Sequence, residues 1–264
     1  MKFEKILKMA VPMVAMAALA GMTSGCNGEV NINGEKGVPL GELDLSGKAP
    51  AKLLLMGADT VRVTAGDALK ITLEGSDEDK ARMRFVLDDS LGVSREGGWN
   101  TGGNTVTVHV TMPAPREIIV GGSGIVHTSA LAKEAEISIG GSGSVEAPAI
   151  AVDSLEVSIA GSGDVRAGGT ARDLEISLAG SGDANLGGLR ADKAEVSIAG
   201  SGSTTFASDG EVSAKIMGSG NVTVRGGARC TVKSFGSGTL TCERGATVDA
   251  ESPPGAKPKP GAAS

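Results

Sequence analysis

Few residues in this 264-residue chain stand in the spacings that acid–base, nucleophilic or metal chemistry requires. Its two histidines, His109 and His127, lie in strand-like segments with no second ligand nearby in sequence. The HExxH pair of metalloproteases, the phosphate-binding loop and the cysteine spacing of zinc sites are absent from the sequence. Asp164 and Asp183 each follow a single Gly-Ser-Gly, which does not match the tandem GGxGxD nonapeptides that bind calcium. We therefore expect no catalytic residue, no metal site and no cofactor.

A set of carboxylates and hydroxyls recurs at one spacing and could bind cations or a basic partner. Glutamates stand six positions, and serines four positions, before the middle serine of successive Gly-Ser-Gly tripeptides. The set comprises Glu117, Glu136, Glu156, Glu175 and Glu195, with Ser138, Ser158, Ser177 and Ser197. Strands about 4.8 Å apart would bring these like charges together, so we expect cations, a basic partner or raised pKa values to compensate. The set is a candidate ligand face, and a solvated face that water screens is the simpler alternative.

Residues 1–25 have the composition of a secretory signal peptide. Three lysines precede an apolar run of 14 residues from Met9 to Met22, which is well short of the roughly 20 residues that span a bilayer. The run ends in Thr-Ser-Gly before Cys26, which resembles the lipobox of bacterial lipoproteins. This resemblance implies a lipid anchor at Cys26 and, because Asn27 follows, sorting to the outer membrane. Cleavage without lipidation is the alternative, since Thr23 stands where that family prefers Leu, Val or Ile.

The rest of the chain is predicted to be one folded domain between two less ordered ends. Removing residues 1–25, which carry three lysines and one glutamate, leaves 22 basic and 30 acidic residues. This balance argues against nucleic acid as a partner, because nucleic-acid binders show a basic footprint. Residues 26–40 are predicted to be a flexible tether, and the proline-rich segment 251–264 is predicted to be a disordered tail. Residues 41–250 remain as the domain.

A tripeptide repeat predicts the fold. Gly-Ser-Gly recurs with spacings of 18 to 20 residues, and its middle serines are Ser123, Ser142, Ser162, Ser181, Ser201, Ser219 and Ser237. Alternate positions on both sides of each tripeptide are apolar. Each repeat is therefore predicted to be a strand, a corner and a second strand, with one side of each strand buried. Seven such units, stacked in parallel, predict an all-β, single parallel β-solenoid (β-helix) with about 18–20 residues per coil and Gly-Ser-Gly corners.

The regular coils begin at about residue 116. Residues 41–115 alternate in the same way without the tripeptide, and we expect irregular opening coils that also shield the first strand edge from aggregation. Leu131, Ile150 and Leu189, in the short returns between repeats, are predicted to form a partial third wall. A β-propeller does not fit, because its blades need about 40–45 residues.

The last repeat holds two cysteines at inward positions on either side of Ser237. Cys230 and Cys242 belong to an exported chain, which meets an oxidising compartment where such a pair can be bridged. The opposite walls of a coil normally lie about 10 Å apart, so a disulfide requires this coil to taper. Two free thiols that fill apolar positions are the alternative.

The repeated segments LEVSIAGSGDV, LEISLAGSGDA and AEVSIAGSGST, with LGVSRE and TVTVHVTMPAPREIIVGGSG upstream, resemble the "putative auto-transporter adhesin head GIN domain" family. The resemblance covers roughly residues 41–250. It implies a secreted β-helical domain, often carried on a lipoprotein. Together with the lipobox-like segment, this resemblance predicts that the protein is an outer-membrane lipoprotein of the cell envelope, facing either the periplasm or the outside.

Three functions are compatible with these features. The first is a non-catalytic, adhesin-like module that binds an envelope protein or polysaccharide. The second is a purely structural spacer of the envelope. The third is a β-helix polysaccharide lyase or hydrolase, which needs loops inserted between coils to form a cleft. Coil lengths of 18 to 20 residues leave no such loops between Gly121 and Cys242, so binding is the favoured prediction.

Overall fold

The computed structural model describes residues 31–32, 35–47, 49–97, 104–243 and 248–250. The predicted signal peptide, the predicted lipidation site Cys26 and the predicted C-terminal tail lie outside these ranges. About 70% of the structure is strand and 4% is helix, arranged as a β-solenoid of about seven turns, which confirms the predicted fold class. Within the described ranges, no helix is both long and apolar enough to cross a membrane.

The structure divides into an N-terminal part and a repeat part. The strands of the N-terminal part are β1 (Asn31–Ile32), β2 (Glu35–Lys36), β3 (Lys52–Gly57), β4 (Thr60–Ala65), β5 (Lys70–Glu74), β6 (Met83–Leu87), β7 (Ser90–Arg95) and β8 (Thr107–Met112). This part also contains a 3-10 helix (Leu40–Glu42) and one short helix, α1 (Asp77–Ala81). The strands of the repeat part are β9 (Glu117–Gly122), β10 (Ile125–Thr128), β11 (Glu134–Gly141), β12 (Ser144–Gly161), β13 (Asp164–Gly180), β14 (Asp183–Gly200), β15 (Ser203–Gly218), β16 (Asn221–Arg225), β17 (Arg229–Gly236), β18 (Thr239–Cys242) and β19 (Val248–Ala250).

Each coil of the repeat part has a front wall, a Gly-Ser-Gly corner, a back wall and a short third wall. The front wall is the strand that leads into the corner, formed by β9, β11, β17 and the C-terminal portions of β12 to β15. The back wall is the strand that leaves it, formed by β10, β16, β18 and the N-terminal portions of β12 to β15. Front-wall strands pair in parallel without a shift from β9 to β17. Residues one coil apart therefore lie directly above one another.

The inward side chains of the three walls form one aliphatic core. Its front-wall members stack in a column of buried residues: Ile118, Ile137, Val157, Ile176 and Val196. The three residues predicted to form a third wall are also buried: Leu131, Ile150 and Leu189. Each side chain packs against neighbours from the coils above and below, so a coil is stabilised mainly by the coils next to it.

The first glycine of each corner has a backbone conformation that other residues rarely adopt. Gly161 has a φ of +129°, and a Cβ atom built on it would lie 2.4 Å from the carbonyl oxygen of Gly141 in the preceding coil. That carbonyl accepts a 2.8 Å hydrogen bond from the backbone N–H of Ser162. The corner therefore requires glycine both for its conformation and for the close approach of successive coils.

The N-terminal part stacks in an order that differs from the order of the chain. β3 pairs in parallel with both β7 and β9, and β4 pairs with both β8 and β10. The coil formed by β7 and β8 therefore lies outside the coil formed by β3 and β4. β5 and β6 pair antiparallel with β8 and β7 and cover this end of the solenoid. The predicted opening coils are thus two parallel coils and an antiparallel cap.

A buried ion pair joins this cap to the coils. The guanidinium of Arg95 donates a 3.1 Å hydrogen bond from Nε to Asp59 Oδ2, and its Nη1 lies 3.2 Å from Asp79 Oδ1. Asp59 also accepts a 2.9 Å hydrogen bond from the backbone N–H of Val106. The hydroxyl of Ser76 donates to the Asp79 carboxylate and, with the nearby Arg95 charge, lowers the pKa of that carboxyl. Each buried charge thus has a partner, without which its burial would be strongly unfavourable.

Part of the predicted tether packs on the domain. The outward side chains of β3 and β9 are apolar at this end, and β1 and β6 cover them in one buried cluster: Ile32, Leu54, Met56, Val86 and Ile119. Val38 exchanges backbone hydrogen bonds of 2.8 and 2.9 Å with Phe85 of β6. Apolar side chains on an outer wall favour such cover, because it removes their surface from water. The prediction of a flexible tether over residues 26–40 is therefore wrong for this part of the segment.

A disulfide closes the last coil. Cys230 of β17 and Cys242 of β18 are bonded, with their Cα atoms 6.8 Å apart. This confirms the predicted pair and the taper that it requires, since opposite walls elsewhere are expected to lie about 10 Å apart. The two cysteines are 12 positions apart, and closing so short a loop stabilises the end of the solenoid by about 2–3 kcal/mol.

We expect Gly161→Ala to destabilise the domain by about 2–3 kcal/mol, because alanine would need a backbone conformation that is nearly restricted to glycine. Its Cβ would also meet the Gly141 carbonyl. The matched control is Gly187→Ala, at a glycine where the nearest heavy atom to a built Cβ is 3.6 Å away. The control should lose less than about 1 kcal/mol. Urea denaturation measures both variants, and equal losses would contradict the stacking account of the corner.

Candidate functional site

The front face is the outer surface of the front wall in the six rows formed by β11, β12, β13, β14, β15 and β17. Side chains of a strand alternate between its two sides, so the even positions before each middle serine point outward. Positions −8, −6, −4 and −2 therefore form four columns that run along the solenoid. Because successive rows pair without a shift, each column contains one residue from every row.

The structure brings the predicted glutamates and serines together in two neighbouring columns. The −6 column contains Glu117 of β9 and, on the front face, Glu136, Glu156, Glu175 and Glu195, each paired with the next. The −4 column contains Ser138, Ser158, Ser177 and Ser197 in the same rows. In the first of these rows, the Ser138 hydroxyl donates a 3.0 Å hydrogen bond to Glu136 Oε1. The pattern read from the sequence is thus a continuous acidic stripe beside a hydroxyl stripe.

Lysines neutralise both ends of the glutamate column. Lys52 of β3 forms an ion pair with Glu117, and Lys215 of β15 donates a 2.9 Å hydrogen bond from Nζ to Glu195 Oε1. Lys52 occupies the same column one row before Glu117, whereas Lys215 reaches across from the −4 column. The remaining repulsion is concentrated in the middle of the column.

Glu156 occupies this central position, and its environment raises its pKa. Partial burial raises the pKa of Glu156, and the neighbouring charges of Glu136 and Glu175 raise it further. A raised pKa is one of the three forms of compensation that the sequence predicted. The charge of the stripe therefore depends on pH most strongly at its centre.

The last two rows of the front face carry a different surface, which the sequence analysis did not single out. The −2 column is Gly140, Ala160, Ala179 and Ala199 in the first four rows, and then Met217 and Phe235. Met217 is 59% exposed and Phe235 is 61% exposed. Lys215 and Lys233 stand beside them in the −4 column. The signal was present in the sequence as two large residues at a position otherwise held by glycine or alanine.

Each of the two histidines lies beside one glutamate. His109 Nε2 lies 3.0 Å from Glu74 Oε2, and His127 Nδ1 lies 3.0 Å from Glu146 Oε2. Both pairs are on the outer side of the back wall, away from the front face. In the part of the chain that the structure describes, no group of three or more His, Cys, Asp or Glu residues could hold a metal ion.

Comparison with known proteins identifies relatives of the same fold. The family model described as "Putative auto-transporter adhesin, head GIN domain" matches residues 49–228. Among solved structures, a "putative adhesin" from Bacteroides fragilis is 24% identical, with a TM-score of 0.66, and the match covers 74% of this chain and 93% of that chain. A "putative lipid binding protein" from Parabacteroides distasonis is 18% identical, with a TM-score of 0.60, over 77% of this chain and 93% of that chain. No curated protein matches the sequence.

We expect Glu156→Gln to stabilise the domain at pH 7 by roughly 0.5–1 kcal/mol, because it removes a charge that faces like charges on both neighbouring strands. Since the pKa is raised above its ordinary value of 4.5 in the folded state, the folded state keeps a proton that the unfolded state loses. The contribution of Glu156 to folding stability is therefore most favourable below pH 4.5, and it is lost as the pH rises through the folded pKa. The difference between variant and wild type should vanish below this window.

Glu195→Gln is the matched control for this measurement, because its carboxylate has Lys215 as a partner. This change should leave stability unchanged or reduce it slightly at pH 7. Thermal unfolding of both variants from pH 3 to 8, with and without calcium, provides the test. Equal stabilisation by both changes, or calcium that stabilises the wild type and not Glu156→Gln, would contradict compensation by the raised pKa.

Proposed function

The chain belongs to the family described as "Putative auto-transporter adhesin, head GIN domain", and on that premise we propose that it is a non-catalytic, adhesin-like binding module of the cell envelope. The front face is its binding surface. An envelope protein or a polysaccharide is the class of partner that this location offers. The module is carried to the envelope by the signal peptide and held there by a lipid on Cys26.

One observation supports this proposal most strongly: the front face consists of six parallel rows that pair without a shift, and of its outward serines only Ser138 in the first row is buried. With rows about 4.8 Å apart and residues about 3.3 Å apart along a strand, the face measures about 29 Å by 23 Å. Its small side chains, regular carboxylates and exposed apolar end suit contact with a flat or extended partner. Loops that would form a cleft over a small substrate have no place in coils of this length.

The relatives with solved structures support a binding role in general terms. Of the two described above, one is named a "putative adhesin" and the other a "putative lipid binding protein". In this chain the inward side chains of neighbouring coils fill the interior of the solenoid. A lipid or any other ligand would therefore bind on an outer face rather than inside the coils.

The proposed anchor would hold the domain close to the membrane. Because Ile32 packs in the cluster with Leu54 and Val86, only residues 27–31 separate the packed domain from Cys26. At no more than about 3.6 Å per residue, this connection reaches at most about 22 Å. The side of the solenoid on which Ile32 packs, near its N-terminal end, would therefore stay close to the bilayer. A purely structural spacer is the alternative function.

The anchor is tested by Cys26→Ser. The wild-type protein should partition into the detergent phase and the membrane fraction, because a thiol-linked lipid inserts into the bilayer. Cys26→Ser should appear in the soluble envelope fraction with its fold unchanged. A wild-type protein that stays soluble after cell fractionation would contradict the anchor and leave the front face unaffected.

The binding surface is tested by removing its central charges with Glu136→Gln, Glu156→Gln and Glu175→Gln in one variant. The matched control removes three carboxylates from the back wall with Glu146→Gln, Asp164→Asn and Asp183→Asn. Retention of purified envelope polysaccharide and of purified envelope protein on the immobilised chain should fall about tenfold in the front-face variant. The control should retain its partner within about twofold. Equal losses in both variants, or retention by neither the wild type nor the control, would contradict the front face as the binding surface.

A further inference from the structure

We propose that the front face binds a second copy of this chain, in a two-fold symmetric dimer whose solenoid axes run in opposite directions. This inference rests on the proposed function, since it names the partner of the same face. The two-fold axis lies parallel to the strands, between the rows of β13 and β14. Rotation about it keeps each column opposite the same column of the other copy and reverses the order of the rows. β11 then faces β17, β12 faces β15, and β13 faces β14.

Side-chain size is complementary in this arrangement. Phe235 of one copy faces Gly140 of the other, and Met217 faces Ala160, while Ala179 faces Ala199. The two large apolar residues at one end of the −2 column thus meet the smallest residues at its other end, and the two-fold axis forms each contact twice. Sheets pack about 10 Å apart with their side chains interdigitated. A large side chain opposite glycine or alanine satisfies this spacing, whereas two large ones would not.

The charges of the −8 column select the same position of the axis. Glu134 of β11 faces Arg229 of β17, and Asp173 of β13 faces Lys193 of β14. All four are exposed at this edge of the front wall. Moving the axis by half a row toward either end places Glu211 opposite an acid, Asp173 in one case and Glu134 in the other. Opposite charges across an interface fix its register, because like charges are rejected.

Lysines also reach the part of the acidic stripe where repulsion is greatest. Lys215, which pairs with Glu195 of its own chain, faces Ser158 of the other copy, next to Glu156. Lys233 faces Ser138, a buried side chain next to Glu136. A lysine side chain can span the offset of about 6.6 Å between positions −4 and −6 of a strand. Within one chain, partial burial and the negative charges of Glu136 and Glu175 raise the pKa of Glu156, and these charges are thus opposed by a lysine of the other chain. Glu175 and Glu195 face each other near the axis, which is the one like-charge contact of the −6 and −8 columns at this position, and Lys193 lies in the −8 column beside Glu195.

The area is sufficient for a stable dimer. Six rows by seven residues cover about 670 Å² on each copy, or about 1,300 Å² in total, from the strand dimensions. Specific interfaces bury about 1,200–2,000 Å² in total. At the other end of the same wall, the outward apolar residues Leu54, Met56 and Ile119 are already covered by β1 and β6. In the described residues nothing comparable covers Met217 and Phe235, and a second copy supplies that cover.

The experiment is sedimentation equilibrium of the chain from residue 26 onward, carrying Cys26→Ser, at micromolar concentrations. We expect a dimer whose dissociation constant rises at least tenfold in Met217→Ser with Phe235→Ser. The matched control is Ile125→Ser, at an apolar residue on the back wall that is 37% exposed. It should leave the dissociation constant unchanged. A dimer that is insensitive to the double change would overturn the inference.

A charge exchange tests the register, because Glu134 and Arg229 are five rows apart in one chain and meet only across the dimer. Glu134→Arg alone and Arg229→Glu alone should each weaken self-association roughly tenfold. An equimolar mixture of the two variants should form a heterodimer with wild-type strength, since each copy then offers the charge that the other lacks. Failure of the mixture to recover would overturn the proposed axis.

The outcomes separate this inference from the proposed function. If the wild-type chain is monomeric at 100 times the concentration used in the binding experiment, but the front-face glutamine variant loses envelope binding, the dimer is overturned and the proposed function stands. A chain that is monomeric and becomes dimeric only after residues 251–264 are deleted shows that this segment occupies the face, which also overturns the inference. A dimer together with unaltered envelope binding in the glutamine variant supports the dimer and contradicts the front face as the envelope-binding surface.

Discussion

The structure depends on one backbone contact that is repeated at every corner. The carbonyl of the first corner glycine accepts a hydrogen bond from the N–H of the middle serine in the next coil, as in the 2.8 Å bond from Ser162 to Gly141 and the 2.9 Å bond from Ser181 to Gly161. The coils approach so closely at this point that a Cβ would collide with the same carbonyl. Because the front wall and the back wall of every coil meet at this corner, the walls stay in register and their outward side chains form straight columns.

Straight columns have an electrostatic consequence. A carboxylate that recurs in each coil must face its own copies, and the chain limits the resulting repulsion with Lys52 and Lys215 at the ends and a raised pKa at Glu156. The front face therefore combines an acidic end with a cationic and apolar end. A surface divided in this way is complementary to itself when it is reversed. The repeat that forms the core thus also determines what the outer wall can bind.

The repeat region was predictable in detail, because glycine corners and alternating apolar residues act locally in every coil. The columns of glutamate and serine followed from the spacing alone, and so did the inward positions of Cys230 and Cys242. The stacking order of β3, β7 and β9 could not be predicted, because strands without the tripeptide contain no sequence feature that indicates which coil they belong to. The packing of Ile32 was missed because a single apolar residue in a polar segment has no periodicity. The role of Met217 and Phe235 emerges only when the rows are placed side by side.

The corner contacts, rather than the strands alone, hold the coils in register. Hydrogen exchange of the backbone amides of the exposed corner serines Ser142, Ser162, Ser181 and Ser201 tests this most directly. We expect these amides to exchange as slowly as those of the buried strand residues Val157 and Ile176, through global unfolding of the solenoid. Exchange within seconds to minutes at the corners, with the strands still protected, would contradict this.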